Sequence, residues 1–333
     1  AGASGEFTMR GLLTFLIELP QNSEVVGGVL TLFPRRIGGN PPLTFSIHLL
    51  NRDFEEFEVD WNQASDAARW SSPGGDYDPQ VLGSFTYDGA GLDSLSVDTL
   101  TVKLDSLLLD AGLAPGNNRL SIVILPSAGD GWISLQAREY SINATVASQL
   151  DIVFREAGGT TRSIIERRAL KDATIASYSG GTGQGMLRVG EVPASEVFFE
   201  YDISQIPPYA TINLARLTLS VYSTTFVDTF QVSSFVAREL AFIRPALTDV
   251  LVPQRIGSAA SQLTVDVTLA FQKLLVADTA NTTNYLVLTS NSTLNFVGFA
   301  EFYPADWPDP ALRPRLEVVY TDAPDAAKPK SGR

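Results

Sequence analysis

Leu150-Asp151-Ile152-Val153-Phe154 and Leu316-Glu317-Val318-Val319-Tyr320 read as one strand written twice. In each, a Leu, then a β-branched residue, then an aromatic fall at alternate positions. That two-residue period places them on one face of a half-buried strand. The likeness continues upstream. Pro20, Val25 and Leu30-Thr31-Leu32 recur at the same spacings as Pro207, Ile212 and Leu217-Thr218-Leu219. Phe15 and Ile17 correspond to Tyr201 and Ile203. Leu95-Ser96-Val97-Asp98 corresponds to Leu263-Thr264-Val265-Asp266. Each of the latter is followed by a short helical patch, an Asn and an apolar strand, Asn118 to Leu125 and Asn284 to Leu288. Self-similarity in a fixed order marks a repeated structural unit.

Other runs alternate in the same way and are broken by Gly, Pro, Asn and Asp, the pattern of antiparallel sheet proteins. They include Leu13, Phe15, Ile17 and Leu19, then Ile122 and Ile124, then Leu217, Leu219 and Val221. Helical spacing is confined to Leu104, Leu107, Leu108 and Ala111, and to Phe271, Leu274 and Leu275. The predicted class is all-β: two tandem antiparallel β-sandwich modules, jelly-roll-like, with about eight strands and one short helix each. The first module is expected over 1–156 and the second over 172–322. A linker over 157–171 and a mobile tail over 323–333 complete the division. The tail has two Pro and no large apolar residue.

Composition narrows function. The 333 residues suffice for about two domains of ~150. Acidic residues number 37 and basic ones 24, a net charge of −13, so the basic footprint of a nucleic-acid binder is missing. No uncharged run is apolar enough over the ~18 residues of a membrane-spanning helix: the longest, Thr279 to Ala300, is rich in Thr, Asn and Ser. Cys is absent, which removes thiol nucleophiles, disulfides and thiolate metal sites. With His48 the only histidine, any Ser-His-Asp triad would have to be built on it. Ala1-Gly2-Ala3 looks like the remnant of a cleaved secretory signal, which points to a secreted or cell-surface protein. An expression scar around Ser4-Gly5-Glu6-Phe7 is the plainer alternative.

Several stretches carry a family resemblance. Arg10-Gly11-Leu12-Leu13-Thr14-Phe15 is the first. The next runs from Val59-Asp60-Trp61-Asn62 to Trp70-Ser71-Ser72-Pro73-Gly74-Gly75-Asp76-Tyr77-Asp78 and is the most specific. Ala137-Arg138-Glu139, Leu187-Arg188-Val189-Gly190 and Arg313-Pro314-Arg315-Leu316-Glu317-Val318-Val319-Tyr320 follow. Together they resemble the DNRLRE domain, a secreted β-sandwich module related to carbohydrate-binding modules. The resemblance implies that the Trp loop is chiefly an anchor, with Trp packed inward. The second half departs from the pattern, because its equivalent loop, Leu240 to Pro253, has neither Trp nor Gly-Gly-Asp.

Three sets of candidate residues emerge. Asp53, Glu55, Glu56, Glu58 and Asp60, followed by Asp76 and Asp78, form the densest run of carboxylates. Asp53, Asp76 and Asp78 are the candidate ligands for calcium, which takes six to eight oxygens. A solvated acidic loop is the plainer reading. Glycoside cleavage by a carboxylate pair is disfavoured, as no apolar cleft is suggested. Trp61, Trp70 and Tyr77 are candidates for stacking on a sugar. His48, alternating against Phe45, Ile47 and Leu49, is expected to point outward. Arg138-Glu139 and Arg238-Glu239 read as structural ion pairs. Gly180 to Gly185 reads as a loop without a following Walker lysine. Asn143, Asn281 and Asn291 fit the glycosylation pattern.

The third set concerns assembly. The second module opens with Asp172 to Ala176 and then Leu187 to Gly190 before Phe198 to Tyr201. The first reaches the equivalent strand at Leu12 with little ahead of it, so one opening strand is missing. The gap would expose Phe7, Leu13 and Phe15 to a strand from another chain. Ser163-Ile164-Ile165, or a different protein, is the expected donor. The function expected is therefore a non-enzymatic extracellular structural protein, a subunit of a surface filament, sheath or appendage assembled by strand addition. The alternative is a tandem carbohydrate-binding module for an extracellular polysaccharide. Expected partners are copies of itself or another surface protein, with polysaccharide under the alternative. Calcium is the one candidate cofactor.

Overall fold

The structure is a computed structural model. It describes residues 1–92, 97–113, 118–138, 146–181, 183, 185–191, 194–202, 205–207, 209–225, 229–238, 254–277, 284–290 and 298–322. The protein is all-β: of the described residues, 58% lie in strands and 7% in helices. The large sheets are antiparallel throughout. No helix among the described residues is long and apolar enough to cross a membrane. The chain divides into two compact units, residues 1–180 and 181–333.

The first unit contains β1 (Gly2–Ser4), β2 (Phe7–Leu16), β3 (Ser23–Leu32), β4 (Pro34–Leu49), β5 (Gln63–Ser65) and β6 (Ala68–Arg69). It continues with β7 (Gly83–Tyr87), β8 (Leu100–Leu104), α1 (Ser106–Gly112), β9 (Arg119–Leu135), β10 (Gln149–Glu156) and β11 (Ser163–Tyr178). Nine strands follow one hydrogen-bonded path, β7-β4-β9-β1-β2-β11-β10-β3-β8. β11 is the turning point of that path. Its first six residues pair with β10, and Ala169 to Tyr178 pair with β2. Side chains from both arms of the path meet in one core: Leu13 and Phe15 of β2, Phe45 and Ile47 of β4, Leu30 and Leu32 of β3, Leu150 and Ile152 of β10.

β2 and β9 are buried on both faces. Leu12-Leu13-Thr14-Phe15 and Leu120 to Ile124 are buried without interruption. Leu13 and Ile122 face the main core. Leu12 and Val123 face a second apolar cluster with Phe54, Ala64, Trp70 and Ile175. The loop between β4 and β7 covers that second face, so alternation is lost where both sides need apolar groups.

The second unit contains β12 (Leu187–Glu191), β13 (Ala194–Ser195), β14 (Val197–Phe199), β15 (Thr211–Thr224), β16 (Thr229–Arg238) and β17 (Gln254–Gly257). β18 (Gln262–Asp266), α2 (Thr268–Ala277), β19 (Asn284–Ser290), β20 (Phe299–Phe302) and β21 (Arg315–Thr321) complete it. One sheet runs β13-β12-β20-β15-β18, with β21 also on β15, and another runs β14-β19-β16-β17. The Asp266 carboxylate accepts from Thr268 N and Oγ1, which satisfies an orphan donor at the start of α2.

The repeat is visible in strand register. Leu30 lies opposite Leu150 on one side and Val102 on the other. Leu217 lies opposite Leu316 and Val265 in the same way. Two details of the sequence alignment need correction. The counterpart of Leu263 to Asp266 is Leu100 to Lys103, five residues later than Leu95 to Asp98. The counterpart of Phe15, paired with Leu120, is Phe199, paired with Leu286, rather than Tyr201. The helical spacing of Leu104 to Ala111 also misleads. Leu104 ends β8, Leu109 is the buried residue of α1, and Leu107 is 80% exposed.

The expected boundary differs most. Residues 163–171, read as linker, and Asp172 to Ala176, read as the second module's opening, form one strand of the first unit. β2 therefore has β9 on one side and β11 on the other. Phe7, Leu13 and Phe15 are buried, and the open edge predicted beside them is filled by the chain's own β11. The tail 323–333, the loop Leu240 to Pro253 and the three Asn acceptor sites lie outside the described residues.

Candidate functional site

The acidic and aromatic candidates all fall in the first unit, on the loop that covers β2, β9 and β11. Asp53 sits where those three strands meet. One oxygen accepts from the hydroxyls of Thr14 and Ser121, each at 3.3 Å. The other pairs with Arg119 at 2.8 Å and Lys171 at 3.2 Å. Lys171, on β11, also donates to Phe54 O at 2.6 Å and pairs with Glu55 at 3.2 Å. Next along the loop, Glu56 pairs with Arg138 at 3.3 Å and accepts the backbone N–H of Asp172 at 3.0 Å. The Asp172 carboxylate accepts the N–H of Arg138 at 2.6 Å. The acidic run is thus a clasp that fastens β11 to the loop.

Charge follows this geometry. Partial burial raises the Asp53 carboxyl, but the bonds from Arg119 and Lys171 outweigh it, and the group is held below its ordinary value. Asp76 behaves likewise. Desolvation opposes ionisation, while the N–H groups of Ser71 and Ser72 and the Ser71 hydroxyl donate to its two oxygens and lower it. Asp78 accepts from Gln80 N at 2.8 Å. Asp53, Asp76 and Asp78 do not converge, and among the described residues no group of three or more His, Cys, Asp or Glu is placed to hold a metal ion. Of these three carboxylates, Asp76 and Asp78 close local turns and Asp53 neutralises cations.

The aromatic residues split into two roles. Trp70 is buried, and its indole N–H donates to Asp60 O at 2.9 Å. Trp61 and Tyr77 are half-buried and flank Arg10, whose guanidinium lies 4.7 Å from the Trp61 ring centroid and 5.4 Å from that of Tyr77. Arg10 also donates to Gly74 O. Gly74 has φ +92°, and a Cβ there would lie 2.5 Å from the guanidinium, so the turn requires glycine. Burial lowers the guanidinium from its ordinary value, with Tyr77 opposing. The anchoring role implied for Trp is met by Trp70, while Trp61 and Tyr77 clamp a cation.

His48 is buried, against expectation. It does face away from Phe45 and Ile47, but the loop covers that side. Its ring nitrogens lie 2.9 Å from Asp78 O and 3.0 Å from Ser46 Oγ, and its ring packs on Tyr77. Arg138 pairs with Glu56, and Glu139 and Glu239 lie outside the described residues. In the second unit Glu301 is buried and pairs with Arg188 at 2.6 Å. It also accepts from Ser223 Oγ at 2.7 Å and from Gly183 N of the Gly-rich loop at 3.2 Å. Sequence reading missed Arg10, Lys171, Arg119 and this Glu301 pair. Each acts through a partner more than 50 residues away, which no local pattern records.

No protein-family model, curated protein or solved structure matches the chain.

Proposed function

We propose that this chain is a non-enzymatic extracellular structural protein. It consists of two tandem jelly-roll-like β-sandwich modules of the DNRLRE type. It serves as a subunit of a cell-surface filament, sheath or appendage held together through strand edges. The observation that carries the reading is the clasp. The side chains with the most chemical capacity are spent on holding β11 and the covering loop in place. A glycosidase acid needs a carboxyl raised toward neutrality, whereas Asp53 and Asp76 are shifted the other way. A sugar platform needs accessible ring faces beside free polar groups. Here Trp70 is buried, and Arg10 lies over Trp61 and Tyr77.

The test is a pair of measurements on the whole chain. Electron microscopy at rising protein concentration is expected to show ordered polymers, and a glycan array is expected to show no saturable binding. Saturable binding to one polysaccharide, lost in a folded Trp61→Ala or Tyr77→Ala variant, would overturn the proposal in favour of a carbohydrate-binding module.

A further inference from the structure

We infer that β21 pairs edge to edge with β21 of a second copy of this chain, across a two-fold axis through Val318. The inference deepens the assembly reading and rests on it, naming the partner and the contact.

The two units place equivalent strands differently. In the first, the order is β8-β3-β10-β11, and β10 is bonded on both sides. In the second, β18, β15 and β21 take the places of β8, β3 and β10, and β21 has no second partner among the described residues. Exposure reports the same difference. Leu150, Ile152 and Phe154 of β10 are buried, Phe154 to 8% exposure. Their counterparts Leu316 and Val318 are only half-buried, and Tyr320 is 40% exposed. Val319 beside them is 47% exposed.

β21 is also the longest strand bonded on one side only along its whole length among the described residues, although it carries Arg315 and Glu317 and its ladder with β15 has a register shift between Ile212 and Leu214. Native sheets blunt their edges with short strands, Lys, Pro or bulges. The other strands ending a sheet path, β7, β8, β13, β14, β17 and β18, have at most 5 residues, and β8 carries Lys103. β21 has 7 residues, Arg-Leu-Glu-Val-Val-Tyr-Thr, with no Pro, Gly or Lys.

The strand is complementary to itself. In an antiparallel pair centred on Val318, Leu316 lies opposite Tyr320 of the second copy, and Val318 lies opposite Val318. Glu317 then faces Val319, and Arg315 faces Thr321. Leu316, Val318 and Tyr320 of both copies thus form one apolar stripe on the core side, and no like charges meet. This register pairs all seven residues. A slip of one residue would put core-side residues opposite solvent-side ones. Moving the axis to Glu317 would set the two Glu317 carboxylates face to face. Asp322 to Arg333, with Pro324, Pro329 and no large apolar side chain, are a poor substitute for the second strand. The contact is isologous and closes.

Sedimentation velocity of the whole chain across a wide concentration range tests this. The unaltered chain is expected to show a monomer–dimer equilibrium. Val319→Glu changes an exposed side chain and sets Glu opposite Glu317 twice per dimer. It should raise the dimer dissociation constant at least ~10-fold, about 1.4 kcal/mol. Val319→Lys should preserve or tighten the dimer, and Glu317→Lys combined with Val319→Glu should restore it. Circular dichroism of each variant establishes that it is folded. A chain that stays monomeric throughout, or a dimer that Val319→Glu and Val319→Lys affect alike, would overturn the contact. Polymers that persist in Val319→Glu would overturn it while leaving the assembly reading in place. A dimer that never grows further would support the contact and count against the larger assembly.

Discussion

Lys171 does more for the first unit than its place in a charged stretch suggests. Its ammonium meets Asp53, Glu55 and the Phe54 carbonyl at once, with the side chain only 13% exposed. Replacing it by Met keeps the stem but removes the donor shared by Asp53, Glu55 and the Phe54 carbonyl, with Asp53 keeping Arg119 and the two hydroxyls. Such losses cost about 1–3 kcal/mol. In a unit of this size that lowers the melting temperature by roughly 2–4 °C per kcal/mol. Thermal melts of Lys171→Met against the unaltered chain measure it. The same cluster predicts a pH dependence. Asp53 and Asp76 titrate below the ordinary aspartate value of 3.8 in the folded protein. A lowered folded pKa contributes stability that is complete above the unfolded value and is lost as pH falls through the folded one. The melting temperature should therefore drop on acidification below about pH 4, and Asp53→Asn should make that drop shallower. An unchanged acid limb in Asp53→Asn would show that the clasp is not ionic.

β11 is the element on which the first unit depends. It supplies the second neighbour of both β2 and β10, and Ala169 and Ile175 go into two different apolar clusters. A fragment of residues 1–180 is expected to fold, with cooperative melting. A fragment ending at Glu156, the boundary that periodicity suggested, would leave the edges of β2 and β10 bare and should aggregate or stay unfolded. Comparing the two fragments by circular dichroism and light scattering checks this. A well-folded 1–156 fragment would return β11 to the role of a linker.

At the scale of the whole molecule the prediction is spectroscopic. With 58% strand and 7% helix among the described residues, circular dichroism should show a β-dominated spectrum with less than about a quarter helix. Much of this architecture was legible in the sequence, because alternation and the repeated Leu-Asp-Ile-Val-Phe and Leu-Glu-Val-Val-Tyr strands are local signals. β11 was legible only in pieces, 163–165 and 172–176, because Arg167, Arg168, Lys171 and Asp172 break its apolar period. Two of these charges, on Lys171 and Asp172, are answered by loop residues or by Arg138. The covered outer face was hidden for the related reason that Leu12 and Leu13 are both buried, on opposite sides. At the site, Trp70 was recognisable as an anchor, whereas the Arg10 clamp required knowing that β2 lies under residues 61–77.

The central claim is that β8-β3-β10 and β18-β15-β21 share one layout, and that β11 covers β10 while no described strand covers β21. Native-state hydrogen exchange on the dilute, monomeric chain tests it directly, since an amide bonded in a ladder exchanges only when the ladder opens. The expected result is protection at every residue from Gln149 to Phe154 of β10, and alternating protection along β21, with only the amides that face β15 slow. Uniform protection along β21 in the monomer, or alternation along β10, would contradict the account.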